Sequence, residues 1–182
     1  QEASLSDLVS EKERTTIVKY IKDFLKKKMN NEPVKGMYLS GSFGSGKSYI
    51  LSALLNELSN KGCKTVNVYY PALLKRLKAS FNDYNYDDVL EEIMNCEVLL
   101  IDDIGAENNS AWARDEVLGT ILQHRMDNNY TTFFTSNFTI EELEQVLAET
   151  SKGSDIIKAK RIIERIKYLT IEDKLVSQNK RK

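Results

Sequence analysis

Residues 41–48 read Gly41-Ser42-Phe43-Gly44-Ser45-Gly46-Lys47-Ser48, between the apolar stretch Met37-Tyr38-Leu39 and the helical run Tyr49-Ile50-Leu51-Ser52-Ala53-Leu54-Leu55. Strand, glycine-rich loop and helix in that order form a phosphate-binding loop. Gly41, Gly44 and Gly46 let successive backbone N–H groups turn toward one anion at the positive end of the helix. Lys47 would reach the outer phosphates of a nucleotide, Ser48 would ligate magnesium, and Tyr49 adjoins them on the first helical turn. The implied cofactors are ATP or ADP with Mg2+. The fixed positions would coincide by chance in on the order of one chain in a hundred of this length, and the flanking strand and helix make an accident rarer.

An apolar strand ending in acids is the natural partner of such a loop, because the carboxyl ends of parallel strands meet in one crevice where magnesium is held. Val98-Leu99-Leu100-Ile101 is a continuous apolar run, as expected of a strand covered on both faces, and Asp102-Asp103 follows it. Asp102 would hold the metal directly or through water. Asp103 could accept a hydrogen bond from an attacking water. One further predicted strand, Lys64 to Tyr70, lies between these two in sequence, which points to the additional-strand type of P-loop ATPase. In that type a polar residue closes the next strand and senses the γ-phosphate. The strand Thr131 to Thr135 continues as Ser136-Asn137, and Asn137 is the candidate.

The rest of the chain alternates helix with strand, which implies βαβ crossovers and a mostly parallel sheet. Ser10 and Glu13 have the form of a capping box, ahead of a helix of about 18 residues that carries Ile17, Tyr20, Ile21, Phe24 and Leu25 on one face. A strand is expected near Gly36 to Ser40, and the helix after the phosphate loop stops at Gly62. Pro71 begins a helical pattern through Leu73, Leu74, Leu77 and Phe81, with Phe81 continuing the buried stripe, and a second short helix spans Asp87 to Asn95. A long helix is expected over Ser110 to Asn128. Thr139 with Glu142 caps a helix to about Leu147, Ser151 to Ser154 reads as a loop, and a last amphipathic helix spans Asp155 to Tyr168 with Ile156, Ile162, Ile163 and Ile166 inward.

A length of 182 residues suits one core, and no apolar run approaches the span of a bilayer. Cys63 and Cys96 lie far apart with no ligand near either, so they fit neither a zinc pattern nor a disulfide framework. Both read as small buried apolar residues of a protein in the reducing cytoplasm. The formal net charge of −1 gives no sign of nucleic-acid binding, so any such surface must be local. Basic clusters occur at Lys26-Lys27-Lys28, at Lys75, Arg76 and Lys78, along Lys158 to Lys167, and at Lys180-Arg181-Lys182. A solvated helix face or tail accounts for any one of them.

The stretches Leu99-Leu100-Ile101-Asp102-Asp103-Ile104-Gly105-Ala106-Glu107, Phe133-Phe134-Thr135-Ser136-Asn137 and Lys158-Ala159-Lys160-Arg161-Ile162-Ile163-Glu164-Arg165-Ile166 together resemble the AAA+ domain of the bacterial helicase loaders of the DnaI/DnaC family. Trp112 to Val117 and Gln123 to Met126 resemble its DnaI branch, and the likeness covers nearly the whole chain. ATPases that assist transposases share the Asp-Asp-Ile-Gly-Ala-Glu signature. The resemblance implies a five-stranded, mostly parallel sheet with helices on both faces, an N-terminal linker and helix over residues 1–35, and an ATPase domain over 36–182. The family's zinc-binding, helicase-binding domain is not expected here, since no residues supply its ligands.

The implied function is an ATP-controlled loading of the replicative hexameric DNA helicase on single-stranded DNA, with other primosome proteins as further partners and no membrane. The family's arginine finger should fall on Arg165, or secondarily Arg161, and would reach a neighbouring subunit's γ-phosphate, so self-association through the nucleotide site is expected. In replication initiators of this kind the helices of Pro71 to Asn95 line a DNA channel. Lys75, Arg76 and Lys78 then become candidate phosphate contacts, and Phe81 or Tyr84 could stack a base. Competing readings are a transposition helper acting on duplex DNA, a small-molecule kinase, for which no acceptor lid is evident, and a nucleotide-binding adaptor without turnover.

Overall fold

Alternation along the central strands puts Tyr38, Leu99, Ile101 and Phe134 in one buried cluster and Met37, Leu39, Val98, Leu100 and Phe133 in another. Two-residue periodicity in strands covered on both faces produces this division. The computed structural model describes residues 11–42, 46–81, 85–107 and 109–175. Strands β1 (Gly36–Gly41), β2 (Thr65–Tyr69), β3 (Val98–Asp102), β4 (Thr131–Ser136) and β7 (Thr170–Leu175) form one sheet in the order β2-β3-β4-β1-β7, and β5 (Glu149–Thr150) pairs with β6 (Gly153–Ser154) in a separate hairpin. Every pair in the large sheet is parallel.

One face is covered by α1 (Glu11–Met29) and α2 (Lys47–Asn60) through Ile21, Phe24, Ile50, Leu51, Leu54 and Leu58. The other face carries α3 (Tyr70–Ala79), α4 (Asn85–Asn95), a π-helical stretch Trp112–Leu118 that runs into α5 (Gly119–Asp127), α6 (Ile140–Ala148) and α7 (Ile156–Leu169). Among the described residues no helix is long and apolar enough to cross a membrane. Gly36 starts β1 where a Cβ would stand 1.8 Å from the Thr132 carbonyl oxygen, so only glycine admits this approach of β1 to β4. With β4 between β1 and β3, the loop after β1, the polar end of β4 and the acids after β3 come side by side.

The expected sheet of five strands is present, but alternation along the chain marks only four of them. The fifth, Thr170-Ile171-Glu172-Asp173-Lys174-Leu175, is an edge strand with exposed residues from Ile171 to Lys174, so no apolar pattern announces it. The stretch Ser151 to Ser154, expected as a loop, is instead the tip and return strand of the β5–β6 hairpin. Thr150 Oγ1 donates to the Gly153 carbonyl at 3.1 Å and Gly153 takes φ 114°, a local turn chemistry with no hydrophobic signature. Phe81 does not continue the buried stripe. Helix α3 ends at Ala79, so position 81 leaves the helical face and is 54% exposed. Ile156, expected inward, is 69% exposed because the first turn of α7 overhangs the core that Ala159, Ile162, Ile163 and Ile166 enter. Cys96 is buried, whereas Cys63 is only partly so. The capping box at Thr139 and Glu142 forms as expected, with reciprocal bonds of 2.9 and 3.1 Å. Ser10 lies outside the described residues.

A cation sits at the centre of the second face. Arg125 is fully buried, and its guanidinium donates to the carbonyls of Ile93 (3.0 Å), Cys96 (2.8 Å) and Thr131 (2.8 Å) and to Thr132 Oγ1 (2.8 Å). These bonds close the C-terminal end of α4 and join it to α5 and β4. Burial pulls the guanidinium below its ordinary pKa, while the dipoles of the surrounding carbonyl and hydroxyl oxygens replace its water. Arg125→Met preserves the aliphatic stem but leaves those carbonyls without donors, so urea unfolding should show a loss of about 3 kcal/mol. A loss below about 1 kcal/mol would mean that the carbonyls find other donors.

Candidate functional site

Strand β1 delivers Gly41 and Ser42, and Gly46 opens α2 in the left-handed region at φ 87° and ψ 9°, a conformation that glycine adopts without strain. Phe43, Gly44 and Ser45 lie outside the described residues. Lys47 is 6% exposed, and its ammonium donates to Asn137 Oδ1 at 2.7 Å and to the Ser42 carbonyl at 3.4 Å. The lysine of the loop and the asparagine chosen from the end of β4 therefore meet directly. Burial pulls the Lys47 ammonium below its ordinary value, and the carboxylates of Asp103 and then Asp102 act in the opposite sense. Ser48 is half-buried on the first turn and Tyr49 is 39% exposed.

The two acids are organised by Thr135. Its Oγ1 donates to Asp102 Oδ1 at 2.5 Å and accepts the backbone N–H of Asp103 at 2.8 Å. Asp103 takes φ 63°, a left-handed conformation rare for aspartate, and the bond from its N–H stabilises it. The next residues are fixed in the same way: Ile104 N–H donates to the Thr135 carbonyl at 3.0 Å, and Ser136 Oγ donates to the Ile104 carbonyl at 2.6 Å. Nothing in the sequence pattern singles out Thr135. A hydroxyl on the strand between loop and acids is the signal that could have found it.

Hard oxygen donors from Ser48 and Asp102 suit Mg2+, which binds through one or two protein oxygens and takes the rest of its ligands from phosphate and water. Among the described residues no cluster of three His, Cys, Asp or Glu side chains could hold a metal ion. Glu107, at the end of the Asp-Asp-Ile-Gly-Ala-Glu stretch, is held above the usual carboxylate range by burial. The sequence reading gave it no role.

The two candidate fingers differ in freedom. Arg165 Nη1 donates to the Gly119 carbonyl at 2.9 Å, which commits it to the junction of the π-helical stretch and α5. Arg161, one turn earlier on α7, is exposed, and both arginines border an open groove with Met126, Ile157 and Tyr168. Among the described residues no hydrogen bond or ion pair links either arginine to the phosphate crevice of its own chain.

On α3, Lys75, Arg76 and Lys78 are all exposed. Beside them Phe81 packs on Tyr86 (5.4 Å, 21°) and on Trp112 (5.1 Å, 56°), and Lys78 Nζ lies 5.7 Å from the centre of the Trp112 ring. The sequence reading anticipated the cations and Phe81 but not Tyr86 and Trp112, which come from other helices. Tyr84 lies outside the described residues.

Comparison with known proteins accords with this geometry. Residues 19–182 match the family described as IstB-like ATP binding protein. The replicative helicase loader DnaI of Bacillus subtilis (strain 168) is 40% identical over 174 residues, 95% of this chain and 56% of that protein. The replicative helicase loader DnaC of Escherichia coli (strain K12) is 24% identical over 118 residues, 64% of this chain and 48% of that protein. The chain thus spans about half the length of these curated relatives. A crystal structure of DnaI superposes with a TM-score of 0.85 at 40% identity, covering 95% of this chain and 90% of that one. A DnaC helicase loader crystal structure shares the fold at a TM-score of 0.75 and 23% identity, covering 97% of each chain. The AAA+ α/β fold expected from the sequence is the observed one.

Thr135→Val removes the hydroxyl that holds both acids while keeping its volume. Magnesium-dependent nucleotide binding, titrated with a fluorescent ATP analogue, should weaken about 10- to 100-fold. Unchanged binding would show that Asp102 keeps its orientation unaided.

Proposed function

The chain belongs to the family of IstB-like ATP binding proteins, and from that membership we propose that it is the ATPase switch of a loader that places the replicative hexameric DNA helicase on single-stranded DNA in primosome assembly. The observation that carries this reading is the arrangement at one end of the sheet. Lys47 bonds Asn137 while Thr135, two residues before it, bonds the two acids, in a chain 40% identical to DnaI over 174 residues.

In this reading the loop from Gly41 to Ser48 cradles the phosphates, with Phe43, Gly44 and Ser45 supplying backbone N–H groups and Tyr49 at its rim. Ser48 and Asp102 would hold Mg2+, which would supply positive charge against the phosphates. Lys47 exchanges its bond with Asn137 for the outer phosphates, and Asn137, released, orients the attacking water. Asp103 accepts a hydrogen bond from that water. Arg161, exposed on α7, is the better placed of the two arginines to reach a neighbouring copy's γ-phosphate, since Arg165 is bonded to Gly119. A finger supplied by a neighbour can be worth about 10³- to 10⁵-fold in rate, which would make turnover depend on assembly with helicase and DNA.

Single-stranded DNA would lie along α3. Lys75, Arg76 and Lys78 offer phosphate contacts, and the exposed face of Phe81, backed by Tyr86 and Trp112, offers a ring on which a base can stack at about 1–3 kcal/mol. The alternatives, a transposition helper on duplex DNA and an adaptor without turnover, become outcomes of the test.

Labelled single-stranded and duplex oligonucleotides of equal length, each with a non-hydrolysable ATP analogue and with ADP at one salt concentration, should reveal single-strand preference that depends on the ATP analogue. Duplex preference would favour the transposition helper. Replacing Lys75 and Arg76 together by alanine should weaken single-strand binding and reduce its salt slope by about two counterions' worth. Unchanged binding would remove α3 from the DNA surface.

A further inference from the structure

Charge is unevenly divided over the helical layer that holds α4, α5 and α7. Helix α7 turns one continuous stripe outward, since Ile157, Arg161, Glu164 and Tyr168 recur at helical spacing and are all exposed. Ile156 and Ile157 are each 69% exposed and Tyr168 is 50% exposed, and with Met126 they line an open groove of about 910 Å³. Lys160, Arg161 and Lys167 stand exposed along that groove and Arg165 is half-buried in it, against the single carboxylate of Glu164. Among the described residues no ion pair engages any of these four cations.

Helix α4 has the opposite sign. Asp87, Asp88, Glu91 and Glu92 are all exposed and one turn apart in pairs, so they share one face, with Val89 and Leu90 half-buried beside it. Among the described residues no cation pairs with any of the four acids. At the helical rise the acids span about 7.5 Å and the cations from Lys160 to Lys167 about 10 Å, so the two stripes match in length. Both helices cover the same face of the sheet, and α5 packs against each. Each leads directly into a strand of one parallel sheet, β3 after α4 and β7 after α7, so the two helices run in the same sense.

We propose that two copies of the chain pair face to face through this layer, with α4 of each lying on the α7 groove of the other. A two-fold axis along α5 produces both contacts at once, which is the reciprocal arrangement of an isologous dimer. Each copy brings four acids to the basic stripe of the other and covers the exposed isoleucines there, and the assembly closes at two because both complementary faces are then used. This contact differs from the head-to-tail one through which an arginine finger would reach a neighbour's phosphate, and it covers Arg161. The dimer is therefore a resting form that withholds the finger. That role rests on the reading of Arg161 as the finger, whereas the pairing itself does not.

Sedimentation equilibrium of the full chain across ionic strength tests the pairing, with two charge-reversed variants beside the parent: Lys160→Glu with Lys167→Glu, and Glu91→Lys with Glu92→Lys. The parent should be a dimer at low salt and dissociate as salt screens the stripes. Either reversal sets like charges against each other at both contacts and should weaken pairing on the order of 100-fold. An equimolar mixture of the two variants should pair again, because each contact of the mixed dimer joins opposite charges, and that restoration also shows that both variants fold. A parent that stays monomeric at low salt, an assembly larger than two, or a mixture that does not pair would overturn the proposal. A monomeric parent whose binding of a single-stranded oligonucleotide is lost in Lys160→Glu with Lys167→Glu would give the groove to nucleic acid instead. Without DNA and at equal concentration, Glu91→Lys with Glu92→Lys should turn ATP over faster than the parent, and an equal or lower rate would overturn the resting role.

Discussion

One hydroxyl group holds the site together. Thr135 Oγ1 donates a hydrogen bond to Asp102 and accepts one from the backbone N–H of Asp103, so a single atom sets the side chain of one acid and the main chain of the other. This is possible only because β4 lies between β1 and β3 with all six of its residues buried. The crossover order that separates phosphate loop from acids by one strand is thus also what lets that strand's end address both. Lys47 and Asn137 complete the row on the other side.

Polarity at this end of the sheet is high and yet local. Around the loop a buried ammonium faces two carboxylates, and burial holds the Glu107 carboxyl above its usual range. Because the Lys47 ammonium already has acceptors of its own chain, it can respond to a ligand by exchanging bonds.

Much of this was legible in the amino-acid order, for physical reasons. The phosphate loop, the apolar strand ending in Asp102-Asp103 and the Thr139 capping box are local patterns whose chemistry is fixed by spacing. Asn137 could be chosen because strand topology brings it to the loop. What escaped detection depends on long-range packing: Thr135 gains its role from a neighbour 33 residues away, and the fifth strand hides behind charged edge residues. Phe81 escapes a helical reading because α3 ends two residues before it, and the bond from Arg165 to the Gly119 carbonyl leaves no trace in sequence.

The buried guanidinium of Arg125 is held by carbonyl and hydroxyl dipoles, with no carboxylate among its hydrogen-bond partners. Mobile ions screen charge pairs at a surface, but they do not penetrate to a dipole cage inside a core. The scaffold and the basic surface on α3 therefore answer differently to ionic strength. Salt that screens the exposed Lys75, Arg76 and Lys78 leaves the junction of α4, α5 and β4 intact, so any polyanion held on that surface would be released without loosening the frame beneath it.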